Sequence, residues 1–200
     1  LLEFTRIFTN MKNDLISILI TNYNKEKFLK KCLDSVYYQN YRNYEIILFD
    51  DCSDDKSLEI IKKYKKIKLI KNKKRSNKSS PLNQINGLIQ AFQKSKGNII
   101  CLLDGDDCFH KNKLQKIFKF FSENSNLNSL YDIPHIKSSE FVLKKKMSSQ
   151  IWPTIFPTSC ISIRRKFFKT FIKNIYKSNF LYLEIDARLV IFSKFYMGEY

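Results

Sequence analysis

Seven of the chain's eleven aspartates fall in two short clusters, Asp50-Asp51-Cys52-Ser53-Asp54-Asp55 and Asp104-Gly105-Asp106-Asp107, in a sequence whose formal charge is +17. Carboxylates set side by side repel one another unless a cation, a hydrogen-bond donor or a proton relieves them. Two such clusters point to a ligand, and a divalent metal is the first candidate. The second cluster offers the hard oxygen donors that Mg2+ or Mn2+ prefers. A metal held there can neutralise a diphosphate leaving group as charge develops on it. Turn and capping chemistry accounts for Asp54 and Asp55 but not for the adjacent pair before them. An EF-hand calcium loop needs a longer ligand series ending in Glu between two helices, and the sequence has neither.

Both clusters follow apolar runs that read as buried strands, Glu45 to Phe49 and Asn98 to Leu103. An earlier strand, Ile16 to Thr21, leads into a helix whose stripe is Phe28, Leu29, Cys32, Leu33, Val36 and Tyr37. After the first cluster a helix with Leu58, Ile61 and Tyr64 inward is expected, capped by Asp54 or Asp55. A short strand, Ile67 to Ile70, enters the basic loop Lys71 to Ser80. Leu82, Ile85, Leu88, Ile89 and Phe92 then mark a helix for which Gly97 suits a left-handed C-terminal position. A fourth helix starts near Asn112 with Leu114, Ile117, Phe118 and Phe121 on one face.

Strands separated by helices of this length imply right-handed crossovers and a mostly parallel α/β sheet covered on both faces. Ligands in such sheets bind beyond the carboxyl ends of the strands, where both clusters lie. Past residue 124 the pattern loosens. Leu130 to Ile133 reads as a strand, 138–150 as polar chain, 151–163 as an extended loop running into a strand, and Arg165 to Tyr176 and Leu181 to Phe195 as helices. No repeat or Pro- or Gly-rich linker divides the chain, so one domain is expected.

Composition narrows the chemistry. With 200 residues and 44% apolar content the chain can fill one core. Its four glycines, Gly87, Gly97, Gly105 and Gly198, form neither GxGxxG nor a P-loop, so phosphates would be held by cations instead of backbone amides. Five cysteines without a CxxC pair read as reduced thiols in a cytosolic protein, and two histidines far apart in sequence argue against structural zinc. Lysines outnumber arginines thirty to six and are spread over the helices, which reads as a solvated surface without the arginine forks and aromatic platform of a nucleic-acid reader. The positive balance still favours anionic partners, including a peripheral contact with an acidic membrane face. No stretch reaches the ~20 apolar residues of a membrane span. The start, Leu1 to Arg6, has no signal-peptide character and no initiating Met, so the chain is expected to be an excised piece of a longer protein.

Taken together, Ile16 to Asn24, Ile46 to Asp55, the segment Asn86-Gly87-Leu88 with Ala91 and Lys96 to Ile100, and Leu103-Asp104-Gly105-Asp106-Asp107 resemble the family 2 glycosyltransferases of GT-A fold, in order and spacing, over residues 15 to 121. The resemblance implies a metal-dependent, inverting transfer of a sugar from a nucleoside-diphosphate sugar, with a UDP-sugar favoured, to a glycan or lipid-linked glycan. Thr21 and Tyr23 match positions lining the nucleotide base, with Tyr23 stacking on it. Asp51 matches the carboxylate that accepts the base's imide N–H, with Asp50 beside it. Asp104, Asp106 and Asp107 match the ribose and metal-diphosphate end of the DxD motif, with Asp106 or Asp107 expected to hold Mn2+ or Mg2+ directly. The basic residue that the family often carries before the Asn86-Gly87 segment is replaced by Gln84-Ile85; Lys78 or Arg75 could supply the missing cation.

The resemblance also implies a base late in the chain, where Tyr182 to Leu189 is similar to an acidic segment opening a helix. Asp186 is favoured over Glu184, although both acids also suit a helix's first turn. Trp152, Pro153, Ser159 and Cys160 fall on the acceptor side, Trp152 either stacking on a sugar or filling the core. Arg164 and Arg165 could assist the diphosphate, with a solvated helix start favoured. Neither a Gln-x-x-Arg-Trp motif nor membrane helices accompany these residues, which favours a single addition over processive synthesis. The expected organisation is an N-terminal extension (1–14), a nucleotide-sugar half (15–125) and an acceptor-side half (126–200) cut short at its C-terminus. Two rivals stand beside this reading, a nucleotidyl or phosphosugar transferase of similar fold and a basic module binding glycan or nucleic acid. The first usually has a Gly-rich loop where Thr21 to Asn24 has no glycine, and the second predicts salt-sensitive binding indifferent to chelator.

Overall fold

A computed structural model describes residues 14–76, 79–134, 155–175 and 180–196. Strands β1 (Ile16–Asn22), β2 (Tyr44–Asp50), β3 (Ile67–Lys71) and β4 (Ile99–Asp104) alternate with helices α1 (Glu26–Tyr37), α2 (Ser57–Ile61) and α3 (Ser80–Lys94). Helix α4 (Lys113–Glu123), β5 (Ser129–Tyr131), a 3-10 turn (Thr158–Cys160), β6 (Ile161–Arg164), α5 (Arg165–Ile175) and α6 (Ile185–Tyr196) follow. The six strands form one sheet in the order β3-β2-β1-β4-β6-β5. The first four run parallel, as the crossover lengths require, and β6 runs antiparallel to both β4 and β5.

Strand periodicity divides the core into two layers. Ile16, Ile18 and Ile20 of β1 face Leu29, Leu33 and Val36 of α1 and Leu114, Ile117 and Phe121 of α4. Leu19, with Ile47 and Ile100, faces Ile85 and Leu88 of α3, Phe167 and Phe171 of α5 and Leu189 of α6. Each fully buried Leu or Ile contributes about 1.5–3 kcal/mol relative to exposure, so both layers hold the strand ends in register. Phe28 departs from its expected place on the α1 stripe. It is 52% exposed, because the buried stripe of Leu29, Cys32, Leu33 and Val36 leaves position 28 about 90° from its centre.

Gly97 does not cap α3, which ends at Lys94 with Ser95 as its cap. Its role is close approach: a Cβ there would stand 2.5 Å from the Leu15 carbonyl oxygen and 2.6 Å from Ser17 Oγ. Asp55 does cap, and does so twice, accepting the Glu26 N–H of α1 (2.8 Å) and the Ser57 N–H of α2 (2.8 Å). Arg164 and Arg165 are staples. Arg164 donates to the Leu127 and Phe121 carbonyls, and Arg165 to the Gly97 carbonyl, all at the end of β4 away from Asp104. The second helix of the late segment begins at Ile185, four residues after the expected Leu181.

Candidate active site

The chain runs outward from β1 to β2 and β3, then crosses back to place β4 on the other side of β1. That reversal opens a crevice at the carboxyl ends of the central strands. In register, Asn22 of β1 stands beside Asp50 and Thr21 beside Asp104. The two aspartate clusters therefore flank the last residues of one strand. A cleft of about 330 Å³ lies there, with Thr21, Tyr23, Asp51, Asp104, Asp106 and Glu184 in its wall.

Asp50 does not reach this cleft. It is 1% exposed, and its carboxylate accepts from Asn22 Nδ2 (2.8 Å), Ser53 Oγ (2.6 Å) and the Ser53 N–H (3.0 Å). These bonds fold the chain back on itself and set the left-handed turn at Cys52 (φ 62°), a conformation that costs a non-glycine residue energy unless its neighbours enforce it. The turn directs Asp51 into the cleft. There Asp51 Oδ1 accepts from Asn72 Nδ2 (2.6 Å) and Oδ2 lies 2.9 Å from Arg75 Nε. The Arg75 guanidinium carbon sits 3.8 Å from the Tyr23 ring centroid. Asn72 was not singled out by the sequence reading. Its only signal is its place one residue beyond the end of β3, at a sheet edge facing the crevice.

At the other end, Asp104 Oδ1 accepts from Thr21 Oγ1 (2.9 Å) and Gln84 Nε2 (2.8 Å). Burial pushes the Asp104 carboxyl up to about 6, opposed by these two donors and assisted by Asp106 and Asp107 nearby. Asp106 Oδ2 pairs with Lys25 Nζ at 2.5 Å. Asp107 closes the turn, its N–H donating to the Asp104 carbonyl (3.0 Å), and is exposed outside the cleft wall. Gly105 permits the turn to approach β1, since a Cβ would stand 2.8 Å from Asn22 Oδ1.

Among the described residues no three His, Cys, Asp or Glu side chains converge on one point. Mg2+ and Mn2+ do not demand that, because one or two carboxylates suffice when substrate phosphates and waters complete the shell. Asp104 and Asp106 supply such oxygens in the cleft wall, and Asp106 already holds an ammonium cation there. The donor set fits a hard divalent ion.

Ser159, expected on the acceptor side, is 7% exposed, and its hydroxyl accepts the Asp104 N–H (3.0 Å). Its carbonyl accepts from Lys113 Nζ (2.8 Å), which also binds both Asp132 oxygens at 2.8 and 2.9 Å. The residue therefore braces the end of β4 from behind. Trp152, Pro153 and Lys78 lie outside the described residues. Glu184 is exposed in the cleft wall, whereas Asp186 sits half-buried in the first turn of α6 with Oδ1 accepting the Ala187 N–H (2.6 Å) and forms no part of that wall. Burial, and after it the charge of Glu184, raise the Asp186 carboxyl above the usual aspartate value.

The sequence model of the family described as Glycosyl transferase family 2 matches residues 17–184. Among curated relatives, the putative teichuronic acid biosynthesis glycosyltransferase TuaG of Bacillus subtilis is 30% identical over 121 residues, covering 58% of this chain and 45% of TuaG. S. aureus TarS 1-349 in complex with UDP-GlcNAc superposes with a TM-score of 0.61 at 20% identity, over 78% of this chain and 46% of that one. The mannosyltransferase PcManGT of Pyrobaculum calidifontis, in complex with GDP-Man and Mn2+, gives a TM-score of 0.61 at 16% identity over 84% of this chain and 53% of that one. These likenesses establish the expected GT-A-like fold. The chain spans about half the length of each of these proteins.

Proposed function

The chain belongs to glycosyl transferase family 2, and on that premise we propose that it transfers one sugar per encounter, with inversion, from a nucleoside-diphosphate sugar to a hydroxyl of a glycan or lipid-linked glycan. The observation that carries this reading is the polarity of the cleft. Tyr23 and Asp51, an aromatic face beside a carboxylate, stand at one end, and Asp104 with Asp106 stands at the other. Such a cleft accepts a base at one end and a metal-bound diphosphate at the other, and a UDP-sugar presents the single imide N–H that Asp51 can accept while Asn72 holds its other oxygen.

Each residue then has a physical task. Tyr23 offers a ring for stacking, worth about 1–3 kcal/mol per base. Thr21 and Gln84 orient Asp104. Asp106, with Asp104 and with Asp107 following in the turn, would hold Mn2+ or Mg2+, which supplies charge neutralisation for the departing diphosphate. A carboxylate at the start of α6, Asp186 with Glu184 as the other candidate, takes the proton of the acceptor hydroxyl. The acceptor oxygen then bonds to the anomeric carbon as the bond to the diphosphate oxygen breaks on the opposite face. General-base help of this kind contributes ~10²- to 10⁴-fold. The donor side is built from residues 15–125, and the base comes from the 126–200 half. Among the described residues no helix is long and apolar enough to cross a membrane. A charge of +17 supports peripheral contact with an anionic inner face.

Thermal unfolding across a panel of nucleotide sugars, with Mn2+ or Mg2+ and with chelator, tests the reading. A UDP-sugar should raise the midpoint only with metal, and Asp106→Ala should abolish the response. Stabilisation by no nucleotide, or an equal response from the variant, would overturn it.

A further inference from the structure

The base end of the cleft is filled by the chain's own Arg75. Its guanidinium carbon is 3.8 Å from the Tyr23 ring centroid, and Nε is 2.9 Å from Asp51 Oδ2. The other Asp51 oxygen is taken by Asn72 Nδ2 at 2.6 Å. The Asp51 side chain is 9% exposed and that of Arg75 is 23% exposed, so the pair lies inside the cleft instead of waving on its rim. A guanidinium is planar, stacks on aromatic faces and presents N–H groups at its edge. A pyrimidine imide shares those three properties. The 3.8 Å spacing leaves no room for a second ring between them, so a base and Arg75 cannot share the Tyr23 face that Arg75 covers.

The fit of Arg75 is imperfect in one respect. Nε has no hydrogen-bond acceptor despite its closeness to Asp51, so the N–H is out of line with the carboxylate. A base that brought its N–H into line would satisfy Asp51 better. Among the described residues of the cleft wall the basic side chains are Lys25 and Arg75, and Lys25 is committed to Asp106.

We propose that Arg75 is a resident surrogate for the base, which the donor's base expels from the Tyr23–Asp51 site and whose guanidinium then pairs with the donor's phosphates. Recognition at the two ends is thereby coupled: only a ligand carrying both base and phosphate recovers what it displaces. This rests on the nucleotide-sugar reading above.

Calorimetric titration of uridine, and of UDP with Mn2+, into wild type, Arg75→Ala and Arg75→Lys tests it. Arg75→Ala should bind uridine between about 3- and 30-fold more tightly than wild type, because no stacked cation is displaced. The gain in affinity from uridine to UDP should shrink about 10-fold or more in the same variant. Arg75→Lys, which keeps the charge but loses the plane, should show the tighter uridine binding and retain most of the phosphate gain. If wild type binds UDP and neither variant binds uridine more tightly, Arg75 is not a surrogate and the proposal is overturned. If wild type binds neither ligand, the nucleotide reading itself falls and takes this one with it.

Discussion

Lys25 Nζ stands 2.5 Å from Asp106 Oδ2, so the carboxylate best placed to meet a divalent metal already meets a cation across 81 residues of chain. Both side chains are more than a third exposed, which keeps the pair weak, at roughly 0.2–1 kcal/mol.

Removing that competitor should ease metal entry. Lys25→Met is expected to tighten Mn2+ binding to the nucleotide-free protein by about 2- to 5-fold, read from the signal of free Mn2+ in electron paramagnetic resonance. Unchanged or weaker binding would show that Lys25 does not compete for Asp106.

Asp104 carries a stability cost when ionised. Its carboxyl is raised from 3.8 to about 6 in the folded protein, mainly by burial, so the folded state prefers the protonated form. The stabilisation tied to that preference is complete below 3.8 and lost as pH rises through about 6. Asp104→Asn keeps an oxygen for Thr21 and Gln84 while removing the charge. In chelator it should unfold at higher temperature than wild type above pH 6.5, by at most ~3 kcal/mol, with the advantage gone near pH 4. The same variant should lose stabilisation by UDP and metal. A variant less stable than wild type at pH 7.5 would contradict this account.

The pH profile of transfer should carry the signature of the base. A general base works only when deprotonated, and burial raises the Asp186 carboxyl above 3.8, so the acid limb of kcat/KM should fall above the ordinary aspartate range. Asp186→Asn should lower kcat by ~10²- to 10⁴-fold while the donor Kd stays near wild type. If Glu184→Gln produces that loss and Asp186→Asn does not, the role moves to Glu184, which lies in the cleft wall.

Gly87 fits α3 against β2. A Cβ there would stand 2.5 Å from Phe49 Cδ1, and Phe49 is only 2% exposed. Gly87→Ala should therefore destabilise by about 1–3 kcal/mol, overriding the helical preference for Ala. Phe49→Leu should recover much of the loss in a double-mutant cycle measured by urea unfolding.

The strands, the helices and the placement of both aspartate clusters at strand ends were legible in the sequence, because they follow from periodicities of two and 3.6 residues along a continuous segment. Ile16, Ile18 and Ile20 against Leu29, Leu33 and Val36 carry that pattern in the order in which they occur. The clustering of carboxylates in Asp104-Gly105-Asp106-Asp107 is likewise a property of four adjacent residues. Where periodicity is absent, as between β5 and β6, the reading was coarse, and the antiparallel β6 was not foreseen.

What only the tertiary structure decided is which cluster member faces the cleft and what meets it there. Asp50 and Asp51 are neighbours of one residue type, yet one is sealed by Asn22 and Ser53 and the other opposes Arg75. Ser159 turns out to brace Asp104 from 55 positions away. Apart from the local Asp50–Ser53 contact, these pairings span 24 to 55 residues. They depend on the strand order that sets β2 and β4 on either side of β1, and no local pattern of side chains encodes that order.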